Sequence, residues 1–174
     1  MQSTRYKTGF TIAELLIALA ISSILLAAVA VAFNASVINY RQNEDIFKTI
    51  NSARQALLRI TSQLRTAGCY INDTFIAVDP DAPPYQCNFY SSTGQNLTYE
   101  FRDSSDPDYP NTLLLIDNSN GNQYVLCDSV KTATFTKTPD GNGDCKSVQI
   151  SMTVASGGMQ RTVSTAAVIR RNLQ

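Results

Sequence analysis

Residues 10–33 read FTIAELLIALAISSILLAAVAVAF and hold one charged side chain, Glu14, in twenty-four positions. About 20 residues at roughly 1.5 Å each span the hydrocarbon core of a bilayer, so this run is long enough to cross it as one helix. A carboxylate inside such a run is expensive to desolvate and marks a functional position whose partner must be a cation.

The preceding residues 1–9, MQSTRYKTG, carry Arg5 and Lys7 and no acid, the composition of a short leader that stays on the cytoplasmic side. A secretory signal places its small-residue cleavage site after the apolar stretch, whereas Gly9 precedes it. The ten residues Lys7-Thr8-Gly9-Phe10-Thr11-Ile12-Ala13-Glu14-Leu15-Leu16 resemble the class III signal of type IV prepilins and type II secretion pseudopilins. The resemblance implies that a prepilin peptidase cuts after Gly9 and methylates the new N-terminus at Phe10. It also implies that Glu14 neutralises the free amine of a neighbouring subunit in a filament. Elementary electrostatics agrees, because an ammonium in an apolar environment is costly alone and tolerable when paired. The alternative is a plain signal-anchor helix with Glu14 near the interface.

Composition bounds the remainder. The 174 residues suffice for the anchor and one domain with a modest core. Arg5 and Lys7 leave with the leader, so 14 basic residues become 12 against 14 acidic, a mature charge of about −2 before termini. Nucleic-acid surfaces show a basic excess, and no nucleic-acid partner is expected. Histidine is absent, which removes the usual general base near neutral pH and the commonest metal ligand. The chain is therefore expected not to be an enzyme.

Cys69, Cys87, Cys127 and Cys145 all follow the apolar run, on the side that a cytoplasmic leader places outside the inner membrane. An even count in an oxidising compartment reads as two disulfides, and the spacings of 18, 40 and 18 match no zinc pattern. Four cysteines allow three connectivities. Cys69 to Cys87 with Cys127 to Cys145 is preferred, since each closes a short turn-rich loop.

From Phe10 to Ala67 there is neither Gly nor Pro, so one helix of up to 58 residues is expected, roughly 87 Å long. In its second half Ile46, Ile50, Ala53, Leu57, Ile60, Leu64 and Ala67 recur at spacings of four and three. Such a stripe serves either a coiled coil or the sheet of its own domain, and the small Ala positions favour the sheet. Gly68 is placed to end the helix. Residues 69–96 read as irregular around the Asp79-Pro80-Asp81-Ala82-Pro83-Pro84 segment. Alternation of Leu97, Tyr99 and Phe101 with polar neighbours then predicts a strand. Further strands are predicted at 112–116, 123–127, 130–137, 147–155 and 161–170. Hairpin signals at 118–122 and at Gly157-Gly158 make neighbouring strands antiparallel. The class is α+β, a long N-terminal helix whose first half spans the membrane and whose second half lies on an antiparallel sheet. This agrees with the pilin fold that the resemblance implies. The expected organisation is a leader at 1–9, a transmembrane and polymerisation helix at 10–33, and a periplasmic domain at 34–174.

A second segment, residues 56–69 (ALLRITSQLRTAGC), together with Val168-Ile169-Arg170-Arg171-Asn172, resembles PilW-type minor pilins and J-type minor pseudopilins. That resemblance implies a subunit that primes or joins a type IV pilus or type II secretion pseudopilus. Its partners would be other pilin or pseudopilin subunits, the prepilin peptidase, the inner-membrane assembly platform and the inner membrane itself before assembly. The alternative is a single-pass anchored periplasmic binding or adhesion module that does not polymerise. Asp140, Asn142 and Asp144 alternate as the start of a calcium loop does. Cys145 stands where such a loop requires Gly, and Ser151 where it requires Glu, so a Gly-rich hairpin turn is the favoured reading and no cofactor is expected.

Overall fold

The computed structural model describes residues 9–71, 74–139 and 144–170. Its first element is α1, Ile12–Arg65, a single helix of 54 residues. Nothing in that stretch interrupts the i to i−4 ladder, since it holds no Pro to remove a donor and no Gly to loosen the backbone. The helix closes with tightened turns, Thr66 N–H donating to Gln63 O and Ala67 N–H to Leu64 O, both at 3.2 Å. Gly68 follows at φ 121°, a conformation that a Cβ would disfavour, and its N–H donates to Tyr90 O at 2.7 Å.

The chain divides into two compact units, Met1–Asn43 and Glu44–Gln174. In the first, the apolar residues of α1 face outward: Ile24 is 69% exposed, Leu26 70% and Phe33 71%. This stretch is long and apolar enough to cross a membrane, with a mean hydropathy of 2.8 and none of it buried.

In the second unit α1 buries Ile46, Ala53, Ala56, Leu57, Ile60, Thr61 and Leu64. The predicted stripe is therefore spent on the domain's own core, and the coiled-coil alternative falls away. Leu58, on the opposite face, is 69% exposed. Thr61 is tolerated in the buried face because its Oγ1 donates to Leu57 O at 2.7 Å.

Two sheets complete that core. β1 (Cys69–Ile71) and β2 (Thr74–Ile76) form a small separate hairpin. β3 (Gln86–Tyr90), β4 (Asn96–Arg102), β5 (Thr112–Asp117) and β6 (Asn122–Cys127) form an antiparallel meander in the order β3-β4-β5-β6. β7 (Val130–Pro139), β8 (Cys145–Ser156) and β9 (Met159–Val168) form a three-stranded antiparallel sheet. The β8–β9 hairpin turns on Gly157-Gly158, with Ser156 opposite Met159 and Gly157 at φ 59°. Phe89, Tyr99 and Phe135 stack through the middle of the core, with centroids 5.0 and 6.5 Å apart. They link β3 and β4 of one sheet to β7 of the other. The Tyr99 hydroxyl is satisfied by Gln63 Oε1 of α1.

One sequence expectation is corrected here. Residues 69–96 are not irregular throughout but contain β1, β2 and β3. The Pro-rich segment ends before Gln86, and β3 is held by a full ladder to β4, from Gln86↔Glu100 to Tyr90↔Asn96.

Candidate functional site

Residues 1–8 of the leader expected at 1–9 lie outside the described residues, so the structure is described from Gly9 onward. Gly9 is exposed, and a Cβ built on it meets nothing within 4 Å. Phe10 is 85% exposed. Thr11 precedes the first helical residue and caps the helix. Its backbone N–H and its Oγ1 each donate to Glu14 Oε2 at 2.9 Å, while Glu14 N–H donates back to Thr11 Oγ1 at 3.3 Å. This reciprocal pair is a capping box, and it places a carboxylate in the first turn, where the free N–H groups and helix dipole favour it. Both bonds fall on Oε2, and among the described residues Oε1 accepts none. The sequence signal for this device is the Thr-x-x-Glu spacing of Thr11-Ile12-Ala13-Glu14.

The three residues Gly9, Phe10 and Glu14 are thus adjacent, exposed and at the head of the apolar helix, followed by bare aliphatic surface. Such an end cannot rest in water. It presents an exposed glycine, an exposed aromatic residue and a carboxylate whose Oε2 is held by Thr11.

Residues 4–30 match the family described as the prokaryotic N-terminal methylation motif. The chain carries the class III signal of type IV pilins. The match supports a pilin-like or pseudopilin-like precursor, and the long apolar helix fits anchoring in the inner membrane with a soluble domain beyond it. No curated protein and no solved structure matches the chain significantly.

Of the other residues read from the sequence, Asp140 and Asn142 lie outside the described residues. Asp144 is 5% exposed, and its carboxylate is committed to the backbone: Oδ2 accepts from Ala77 N–H at 3.0 Å, and Oδ1 from Val78 N–H at 2.8 Å and Cys145 N–H at 2.7 Å. That role, tying the start of β8 to residues 77–78, was invisible in the sequence because its partners are more than 60 positions away.

The cysteines are distributed differently from the preferred pairing. Cys87, Cys127 and Cys145 are buried and Cys69 is half-buried, and no disulfide is formed among the described residues. Burial pushes the Cys87 thiol up to about 12 and also raises that of Cys127, whose Sγ donates to Asp128 O at 3.3 Å. Cys127 to Cys145 is excluded as a pair by strand register. Pro139↔Cys145 lies at one end of the β7–β8 ladder, and Val130, three residues after Cys127, lies at the other.

A polar groove of about 520 Å³ also lies on the outer face of β3–β5. Its side chains satisfy one another, Gln86 Nε2 donating to Glu100, Thr98 Oγ1 to Asn88 and Asn118 Nδ2 to Thr98. Each of its polar side chains makes at least one hydrogen bond within the domain.

Proposed function

We propose that this protein is a minor pilin or minor pseudopilin, a structural subunit that primes or joins the filament of a type IV pilus or type II secretion pseudopilus. The observation carrying this reading is the register of Gly9, Phe10 and Glu14 at the head of an exposed apolar helix that continues into a domain core. Cleavage by the prepilin peptidase between Gly9 and Phe10 removes both cationic leader residues and creates an ammonium at Phe10. Glu14 then pairs with the ammonium of an adjacent subunit, and the aliphatic surface of residues 10–33 is buried first by lipid and afterwards by neighbouring subunits. The inner-membrane assembly platform supplies the transfer between these two apolar environments. The domain stays on the periplasmic side until the subunit enters the filament. Support for the minor class comes from the resemblance of residues 56–69 and 168–172 to PilW-type and J-type subunits.

Mass spectrometry of the protein from its native membrane tests the assignment. The expected mature chain begins at N-methylated Phe10, and an intact leader or a cut after residue 33 overturns it.

A further inference from the structure

The strand registers decide which cysteines can meet. Cys127 and Cys87 lie on β6 and β3, the two edges of the four-stranded sheet, three strand spacings or about 14 Å apart. Cys145 is farther from Cys127. Nine residues of β8 separate Cys145 from Val154, roughly 30 Å, and Val154 pairs with Val130. The three residues from Cys127 to Val130 recover at most about 10 Å of this. A disulfide needs Cα atoms within about 7 Å, so Cys127 reaches neither.

Cys87 and Cys145, by contrast, converge on one strip of chain. Residues 77–79 run antiparallel beside β3, through the Val78↔Phe89 bridge, Asp79 N–H to Asn88 O at 3.0 Å and Tyr90 N–H to Ala77 O at 2.9 Å. Asp144 grips the same strip from the other side, through Ala77 N–H and Val78 N–H. Cys145 is the next residue, and both thiols are 0% exposed within one continuous core. Lys137 brings β7 to the same place, donating from Nζ to Pro83 O at 3.1 Å and to Ala82 O. Cys145 and Lys137 both act electrostatically on the Cys87 thiol. Cys69 is kept from Cys87: it lies opposite Ile76 and next to Gly68, which bonds Tyr90, so it sits beyond the far end of β3, three residues or about 10 Å from Cys87.

We propose that Cys87 and Cys145 form the disulfide of this domain, a covalent tie between the four-stranded and three-stranded sheets, while Cys127 remains a thiol. The oxidant is a disulfide-bearing exchange partner. One cysteine thiolate attacks its S–S bond and expels one thiol, giving a mixed disulfide. The other cysteine then attacks the protein sulfur of that intermediate and expels the second thiol. The protein loses two protons and two electrons, and the oxidant becomes two thiols. Burial leaves little thiolate in the folded domain, so the bridge forms quickly in the folding chain and slowly once the core has closed.

The test uses the full chain in detergent, unfolded in denaturant and refolded with oxidised and reduced glutathione, then alkylated and mapped by mass spectrometry without reduction. The expected product is a linked peptide pair containing Cys87 and Cys145, with Cys127 alkylated after denaturation. The melting midpoint should exceed that of the reduced chain by about 10 °C. Cys87→Ser and Cys145→Ser should each abolish that increment, and Cys127→Ser should retain it. Linkage of Cys69 to Cys87 or Cys145, any linked peptide containing Cys127, or no linked peptide at all overturns the proposal. This outcome is independent of the mature N-terminus, so it fails or succeeds separately from the filament assignment.

Discussion

Oε2 of Glu14 is engaged by its own chain through Thr11, and among the described residues Oε1 accepts no hydrogen bond, which fits the neighbouring ammonium that the filament proposal assigns to it. A single carboxylate can therefore cap its helix and pair with a neighbour's amine without exchanging one role for the other. Glu14→Gln keeps the shape and loses the charge. It is expected to leave membrane levels unchanged and to abolish crosslinking to partner subunits and filament incorporation, measured in cells with matched expression. Unchanged crosslinking would show that the charge is no assembly contact. Gly9→Val should leave a longer precursor in the membrane, because the peptidase must accommodate this position without a side chain, and an immunoblot of normal mature size would contradict that. Asp144 makes a separate prediction. Asp144→Ala strands the N–H groups of Ala77 and Val78 and should cost about 3 kcal/mol, read as a lower denaturant midpoint.

Along α1 the same element serves two solvents. Before Asn43 its aliphatic residues are exposed apart from half-buried Val37, and from Ile46 onward apolar side chains enter a core. Leu64 is 0% exposed among the sheets, and Leu64→Ala should destabilise the domain by about 2 to 5 kcal/mol. Leu58, 69% exposed, should tolerate the same change within about 0.5 kcal/mol. Equal effects in chemical denaturation at the two positions would mean that the observed helix face is wrong.

For the molecule as a whole, the domain's independence and its pH dependence follow from burial. No residue before Ile46 belongs to the buried core among the described residues, so a chain beginning at Glu44 should fold cooperatively and stay soluble without detergent. Under reducing conditions the domain should also weaken in alkali. Cys87 has a folded value of about 12 against 9.0 unfolded, so its contribution is fully present below pH 9 and lost as pH rises toward 12. Tyr99, raised in the same direction by burial, adds to the loss above pH 10. Oxidation of Cys87 should remove its share of this slope, and denaturant titrations at pH 7 and pH 10.5 with and without reductant measure it.

Periodicity and punctuation made the long helix, its buried stripe, the later strands and the Gly157-Gly158 hairpin legible, because each depends on residues within about one turn or one hairpin of one another. The methylation motif was legible for the same reason, since it lies within residues 4–30 of one continuous stretch. Strand β3 was obscured by the prolines before it, and only its ladder to β4 stabilises it as a strand. The cysteine geometry and the Asp144 clasp belong wholly to the tertiary structure. Cys127 and Cys145 are 18 positions apart in sequence yet held near opposite ends of a ladder by extended backbone, whereas Cys87 and Cys145, 58 apart, share one core because two sheets close on it. Local spacing determines secondary structure, but the rigid length of a strand decides which distant side chains can touch.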